Sequence, residues 1–297
     1  MIPREKGFLL LTSHLGDPDR RPLTAPQLRT LARRIQQREK PDADRELEVH
    51  DFLAFGFGHD RAEQIVTLLS QEDLLEHYVR RGEKMGCTPI TRVGQGYPIL
   101  LRQRLGLESP GCLWVKGDMS LLNTPGISLV GSRELQAPNR EFAEAVGIQA
   151  AKQGLTLISG NARGADQMAQ NACLRAGGCV ISFVADDLSA HPVRDRVLYV
   201  SEEDYDEPFS SQRALSRNRC IHASGRLVFV AQASVGKGGT WDGTVKNLHH
   251  GWSSVACFRD GSEASLELEQ MGAYLVGMED LQDFGSLPEE TENFLDR

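Results

Sequence analysis

The sequence predicts an α/β protein, with a mostly parallel sheet, helices on both faces and a small helical N-terminal domain in front. Three observations predict it. Short apolar runs at Gly126–Val130, 155–159, 179–184, 226–231 and Ser254–Phe258 recur through the C-terminal two-thirds. Helix-period segments, 137–153 and about 165–175, separate the first three. Several runs also end in glycine-containing turns. Apolar strands alternating with helices form βαβ units and a sheet buried on both faces. The arrangement is Rossmann-like.

The N-terminal part has another rhythm. The opening MIPREKGFLLLTSH has an apolar patch too short for a signal-peptide core and is expected to be a buried strand or helix. Residues 25–39 fit an amphipathic helix with Leu28, Leu31 and Ile35 on one face. A polar loop is expected at 41–46, and one or two helices at 61–80 after a GFGHD turn. A short strand at 88–91 is followed by a tight turn, a short helix, a Pro-Gly turn and a strand at 113–115. These features place a domain boundary between residues 86 and 87, dividing the chain into 1–86 and 87–297. The polar, acidic stretch 186–215 is expected to be a loop or lid over the carboxyl ends of the strands. Residues 265–284 suggest a helix, a short strand and a closing helix, and a frayed acidic end follows.

Composition narrows function. No run of about 18 apolar residues exists, so no membrane helix is expected and a cytoplasmic setting is. The six cysteines stand singly and the eight histidines form no ligand motif, so neither a metal nor a cofactor is expected. The net charge of −8 argues against coating duplex DNA by bulk electrostatics, but a local basic groove is compatible with it. Arg213, Arg217, Arg219 and Arg226 cluster in one region, which makes it a place to look for an anion site.

Three glycine turns follow apolar strands. They are Gly131-Ser132-Arg133, the stretch from Ser159 through Gly160, Arg163 and Gly164 to Asp166, and Lys237-Gly238-Gly239-Thr240 with Gly236 before it. In an open parallel sheet such turns share the edge where ligands bind. Glycine permits close backbone approach, and helix N-termini favour phosphate. Arg133, Arg163 and Lys237 supply positive charge there. Arg217, Asn218 and Arg219 add two guanidinium forks and an amide, groups suited to phosphate. Asp166 suits a helix cap or a polar group at the site mouth. Trp241 suits core packing better than stacking on a base. No Walker loop and no G-x-G-x-x-G occurs, so neither ATP hydrolysis nor ordinary dinucleotide binding is indicated.

The order of these pieces resembles the DprA/Smf family of DNA-processing proteins. The resemblance rests on Val130-Gly131-Ser132-Arg133, on Ser159 to Asp166 (SGNARGAD), on Arg217-Asn218-Arg219-Cys220-Ile221 and on Gly238-Gly239-Thr240. Tyr97-Pro98 and the run from Trp114 to Asp118 resemble the family's lead-in, so it spans roughly 95–284. It implies single-stranded DNA binding without catalysis, delivery of that DNA to a RecA-type recombinase in DNA processing, recombination or natural transformation, and room for a homodimer. It carries over Gly131, Ser132, Arg133, Gly160, Arg163, Arg217, Asn218 and Arg219 as DNA-phosphate contacts. Gly164, Asp166, Lys237, Gly238, Gly239 and Thr240 complete the expected site from their own turns. The chain departs from the family pattern at Gln170, where histidine is usual, at His222 and in its GKGGTWDGT turn, and no winged-helix pattern follows.

Two alternatives use the same turns. The GGT turn also resembles that of the Lonely Guy nucleotide phosphoribohydrolases, in which a glutamate three residues after the threonine supports glycosidic cleavage. Here that position is Gly243, with Asp242 one place early. A small-nucleotide sensor would show a deep closed pocket, whereas DNA requires an open basic groove.

Overall fold

The structure, a computed structural model, describes residues 1–37 and 45–288. The acidic end expected at the C-terminus lies outside these residues, as does most of the 41–46 loop.

Nine strands form one sheet in the order β1-β2-β6-β5-β4-β3-β7-β8-β9. The five runs identified in the sequence are β3 (Gly126–Val130), β4 (Thr156–Ser159), β5 (Val180–Phe183), β7 (Leu227–Val230) and β8 (Ser254–Phe258). They pair in parallel, as do β6 (Val197–Ser201) with β5 and β9 (Tyr274–Val276) with β8. β1 (Cys87–Thr91) and β2 (Cys112–Gly117) extend the other edge through antiparallel pairings.

β6 corrects the expectation of an irregular lid at 186–215. Its residues Val197–Ser201 are all buried, between β5 and β2. The lid expectation had followed the acids on either side of this run. A second correction concerns the chain's end. The closing helix is instead two 3-10 turns, Glu279–Gln282 and Phe284–Ser286.

Alternation along the strands builds two cores. Ile127, Leu129, Leu157, Val180, Leu227 and Phe229 face one side. Val130, Ile158, Ile181, Val228 and Val230 face the other. The first side is covered by α7 (Ala137–Lys152) and α8 (Ala165–Arg175), together with Leu9 and Leu10 of α1 (Pro3–Thr12) and Leu75 and Tyr78 of α5 (Glu72–Lys84). The second is covered by α6 (Ile99–Leu105), α10 (Asn218–Ser224), α11 (Gly238–His250) and α12 (Glu263–Gln270). Burial of the strands on both faces is why their sequences are almost continuously apolar.

A third cluster joins Leu11 of α1 to α2 (Ala25–Gln36), α3 (Val49–Ala54) and α4 (His59–Leu69). Leu31 of α2 is buried in it, whereas Ile35 is 39% exposed at the end of the expected apolar stripe. Among the described residues no helix is long and apolar enough to cross a membrane.

Candidate functional site

β3 lies between β4 on one side and β7 on the other, so the strand order reverses there. Crevices at the carboxyl ends of strands at such a point are where open parallel sheets bind ligands. A cavity of about 510 Å³ opens there. It is bordered by the turn after β3, by the start of α8, by α9 (Ser211–Ser216) and α10, and by the turn leading into α11.

Hydrogen bonds fix the three turns to one another. The Ser132 amide donates to Gln232 O at 3.0 Å, and the Gln136 amide donates to Gln232 Oε1 at 2.9 Å. The Ala165 amide donates to Ser132 O at 3.2 Å, which joins the second turn to the first. Asn218 Nδ2 donates to Gly239 O at 3.0 Å, which joins α10 to the third turn. Gly164 has φ +87°, and a side chain there would strike the carbonyl oxygens of Ser132 and Arg133. Glycine is therefore demanded twice at this residue, by conformation and by space.

Arg217 is only 7% exposed, and its Nη1 donates to Phe183 O. A methyl group at Gly160 would overlap its guanidinium. Asp166 lies beside it, 6% exposed, with Oδ2 at 4.0 Å from Arg217 Nη2. Burial pushes the Asp166 carboxyl up to about 6 against the opposing pull of Arg217, and burial also lowers Arg217. Gln170 supports this turn from beneath, donating to Ser159 Oγ at 2.7 Å, to Ser182 Oγ at 3.1 Å and to Gly160 O.

Asp166 does not cap α8 with its side chain. It accepts from the Ala162 amide at 3.2 Å and so closes the preceding turn, while Gly164 occupies the N-cap position. The reason is geometric: Asp166 is inside the first turn of the helix, and its carboxylate turns back towards Ala162 and Arg217.

Ten of the expected residues border the cavity: Gly131, Ser132, Arg133, Asp166, Arg217, Asn218, Lys237, Gly238, Gly239 and Thr240. Gly160 and Gly164 lie behind this wall as close-approach positions. Arg163 is exposed on the second turn, outside the lining. Arg219 is not brought to the cavity. It pairs with Glu202 at 2.8 Å and donates to Ser216 O at 2.9 Å. Arg213 is also engaged elsewhere, with Glu203 at 3.0 Å and with Ala185 O at 3.1 Å.

The sequence reading missed Ser211, Ala214, Leu215 and Ile221 as lining residues. The available signal was the short helical spacing of α9, which the surrounding polar residues concealed. Trp241 packs partly buried against the second core, the packing role expected for it. Arg133, Arg163 and Lys237 are exposed and, among the described residues, have no acidic partner. The site thus presents free cations at its mouth and a neutralised pair at its floor.

The family model for DNA recombination-mediator protein A matches residues 88–277. The chain belongs to this family. Relatives include protein Smf of Escherichia coli, 30% identical over 142 residues, which are 44% of this chain and 38% of that protein. DNA processing protein DprA of Streptococcus pneumoniae is 30% identical over 182 residues, 57% of this chain and 64% of its own length. The matches therefore span less than two-thirds of either relative.

The crystal structure of the pneumococcal DNA processing protein A superposes with a TM-score of 0.72 at 24% identity, covering 95% of this chain and 97% of that one. A Helicobacter pylori DNA processing protein A, described for its single-stranded DNA binding mode, gives a TM-score of 0.55 at 21% identity over 67% of this chain and 93% of its own. At these identities the likeness is one of fold, and it includes the mostly parallel sheet of the family member described here.

Proposed function

We propose that this family member binds single-stranded DNA along the cavity mouth and passes it to a RecA-type recombinase during DNA processing in the cytoplasm. The observation that carries the reading is a set of exposed cations with no acidic partner among the described residues: Arg133 and Lys237 border an open cavity, and Arg163 stands on the neighbouring turn. Each side chain is free to meet a phosphate without first breaking an ion pair. The first turn of α11 adds unpaired backbone N–H groups and the positive end of its dipole. A chain with a net charge of −8 then attracts polyanions at one place and not over its whole surface.

Glycosidic cleavage fits the geometry less well. Asp242 is absent from the cavity lining and pairs with Lys246 at 2.8 Å on the face of α11. The acid that does border the cavity, Asp166, is already paired with Arg217.

The test is binding of labelled oligo-dT across a salt series, with duplex DNA as the control. Tight binding that weakens with salt and prefers the single strand is expected. Equal or absent binding to both would overturn the reading and direct attention to hydrolysis of nucleoside monophosphates.

A further inference from the structure

The second turn rests on a polar network where the alternation of the sheet calls for apolar side chains. Ser159 of β4 and Ser182 of β5 are partners in register on adjacent parallel strands. Leu157 and Val180, two residues earlier, face the first core, so both serines point to that side, under α8. Gln170 of α8 meets them there. Both serines are wholly buried and Gln170 is 8% exposed. Polar side chains at core positions carry a desolvation cost that apolar ones avoid, and they are tolerated when every group finds a partner.

Their hydrogen bonds converge on one atom. Gln170 Nε2 donates to Ser159 Oγ at 2.7 Å and to Ser182 Oγ at 3.1 Å. Each hydroxyl donates onward to Gly160 O, both at 3.2 Å, and Gln170 Nε2 also approaches that oxygen directly. The N–H groups of the side-chain amide, the hydroxyls and the lone pairs of the carbonyl are thus matched to one another. The product of the network is a Gly160 carbonyl fixed towards the inside of the sheet. In a trans peptide the N–H lies opposite the C=O, so the Asn161 amide is held pointing away from the network. No described residue accepts from that amide. Asn161 is half-buried, and the next residue, Ala162, borders the cavity.

We infer that Gln170 is a positioning residue for strand binding: through Ser159 and Ser182 it holds the Gly160 carbonyl down and presents the Asn161 amide to a backbone phosphate at the cavity rim. The inference rests on the proposed binding of single-stranded DNA and adds the group that orients one of its phosphate donors. A neutral backbone donor of this kind complements the exposed cations without adding charge.

The experiment follows the Asn161 amide by nuclear magnetic resonance, in protein carrying isotope-labelled asparagine, as oligo-dT is added. In the unaltered protein the amide proton is expected to move downfield, as a hydrogen bond to phosphate requires. In Gln170→Leu, with folding checked by circular dichroism, it is expected to stay in place. Oligo-dT affinity should then fall about tenfold, the size of one hydrogen bond to a charged group. The slope of log affinity against log salt should not change, because the lost donor is neutral. Gln170→His keeps a ring N–H for the serines and should restore the movement and most of the affinity. A residue that served packing alone would tolerate leucine and not histidine. If Gln170→Leu does not fold, Ser182→Ala removes one relay and is expected to give the same readings. Oligo-dT binding that leaves the Asn161 amide unmoved, or an affinity unchanged in Gln170→Leu, would overturn the role. If oligo-dT does not bind at all, inorganic diphosphate is the probe. Movement of the amide in the unaltered protein and not in Gln170→Leu then keeps the role and removes the strand reading, and no movement removes both.

Discussion

The cavity at the switch point and the junction beside β2 both use charged side chains, but they dispose of the charge differently. At the junction the acidic segment after β6 binds the N-terminal helices. Tyr205 stacks on Tyr78 with ring centres 4.5 Å apart and meets Trp114 of β2 edge-on at 4.7 Å. Arg81 of α5 donates to the Tyr205 hydroxyl at 2.9 Å, and the Tyr78 hydroxyl donates to Asp206 at 2.5 Å. Asp204 accepts from the amides of His14 at 2.7 Å and Leu15 at 3.2 Å. The charged and hydroxyl groups among them all have partners inside the fold. Around the cavity, Arg133, Arg163 and Lys237 have none among the described residues. A dense charge pattern in the sequence therefore marks either a closed joint or an open site, and only the pairing distinguishes the two.

The comparison breaks most sharply at the joint. Tyr205→Ala removes a wholly buried ring from between two others. It is expected to cost about 3 kcal/mol in urea unfolding, as for other large aromatic truncations. Oligo-dT affinity of the folded fraction should not change. A matching loss of affinity would show that joint and cavity are coupled and not independent. On the cavity side, Gly160→Ala places a methyl group on the Arg217 guanidinium. Overpacking of this kind costs about 1–3 kcal/mol, and here it also displaces a residue of the floor. A fall in both stability and oligo-dT affinity is expected, and unchanged affinity would remove Arg217 from the binding surface.

pH sharpens the contrast further. Burial raises Asp204 from the ordinary 3.8 to about 6, despite the hydrogen bonds it accepts. Between these values the native state holds a proton that the unfolded chain has released. The Asp204 contribution to stability therefore falls as pH rises through that window and is level above it. The stability difference between the unaltered protein and Asp204→Asn should decline from about pH 4 to about pH 6, by an amount on the order of 3 kcal/mol. Asp166 has the same raised value but titrates in both proteins, so it cancels in the difference. A difference that does not change with pH would show that Asp204 keeps its ordinary acidity in the fold.

The sheet was legible because strands buried on both faces leave uninterrupted apolar runs, and the gathering of the three turns was legible because strand-to-helix turns share one edge. β6 has the same kind of run, Val197 to Val200, but acids close behind it suggested solvent. Arg217 and Arg219 could not be told apart in the sequence. They are two positions apart on helical backbone, about 200° around the axis, so one enters the floor while the other turns to Glu202. Asp166 was placed on the correct turn, but its direction depended on the buried Arg217, which arrives from fifty-one positions further along the chain.

The smallest effects are expected at the cations of the mouth, and they bear most directly on the proposed function. Arg133→Ala and Lys237→Ala remove exposed side chains that have no partner among the described residues, so stability should change by no more than about 0.5 kcal/mol. Each contact made with a single-strand phosphate contributes about 0.7 to the slope of log affinity against log salt. Each variant should therefore bind oligo-dT more weakly at low salt and lower that slope by about this amount, with the two changes adding in the double variant. Arg219→Ala is the internal control. Its guanidinium is held by Glu202 and Ser216, so its loss should lower stability and leave the salt slope unchanged. A lower slope for Arg219→Ala with unchanged slopes for the other two would place the DNA on a different face from the cavity.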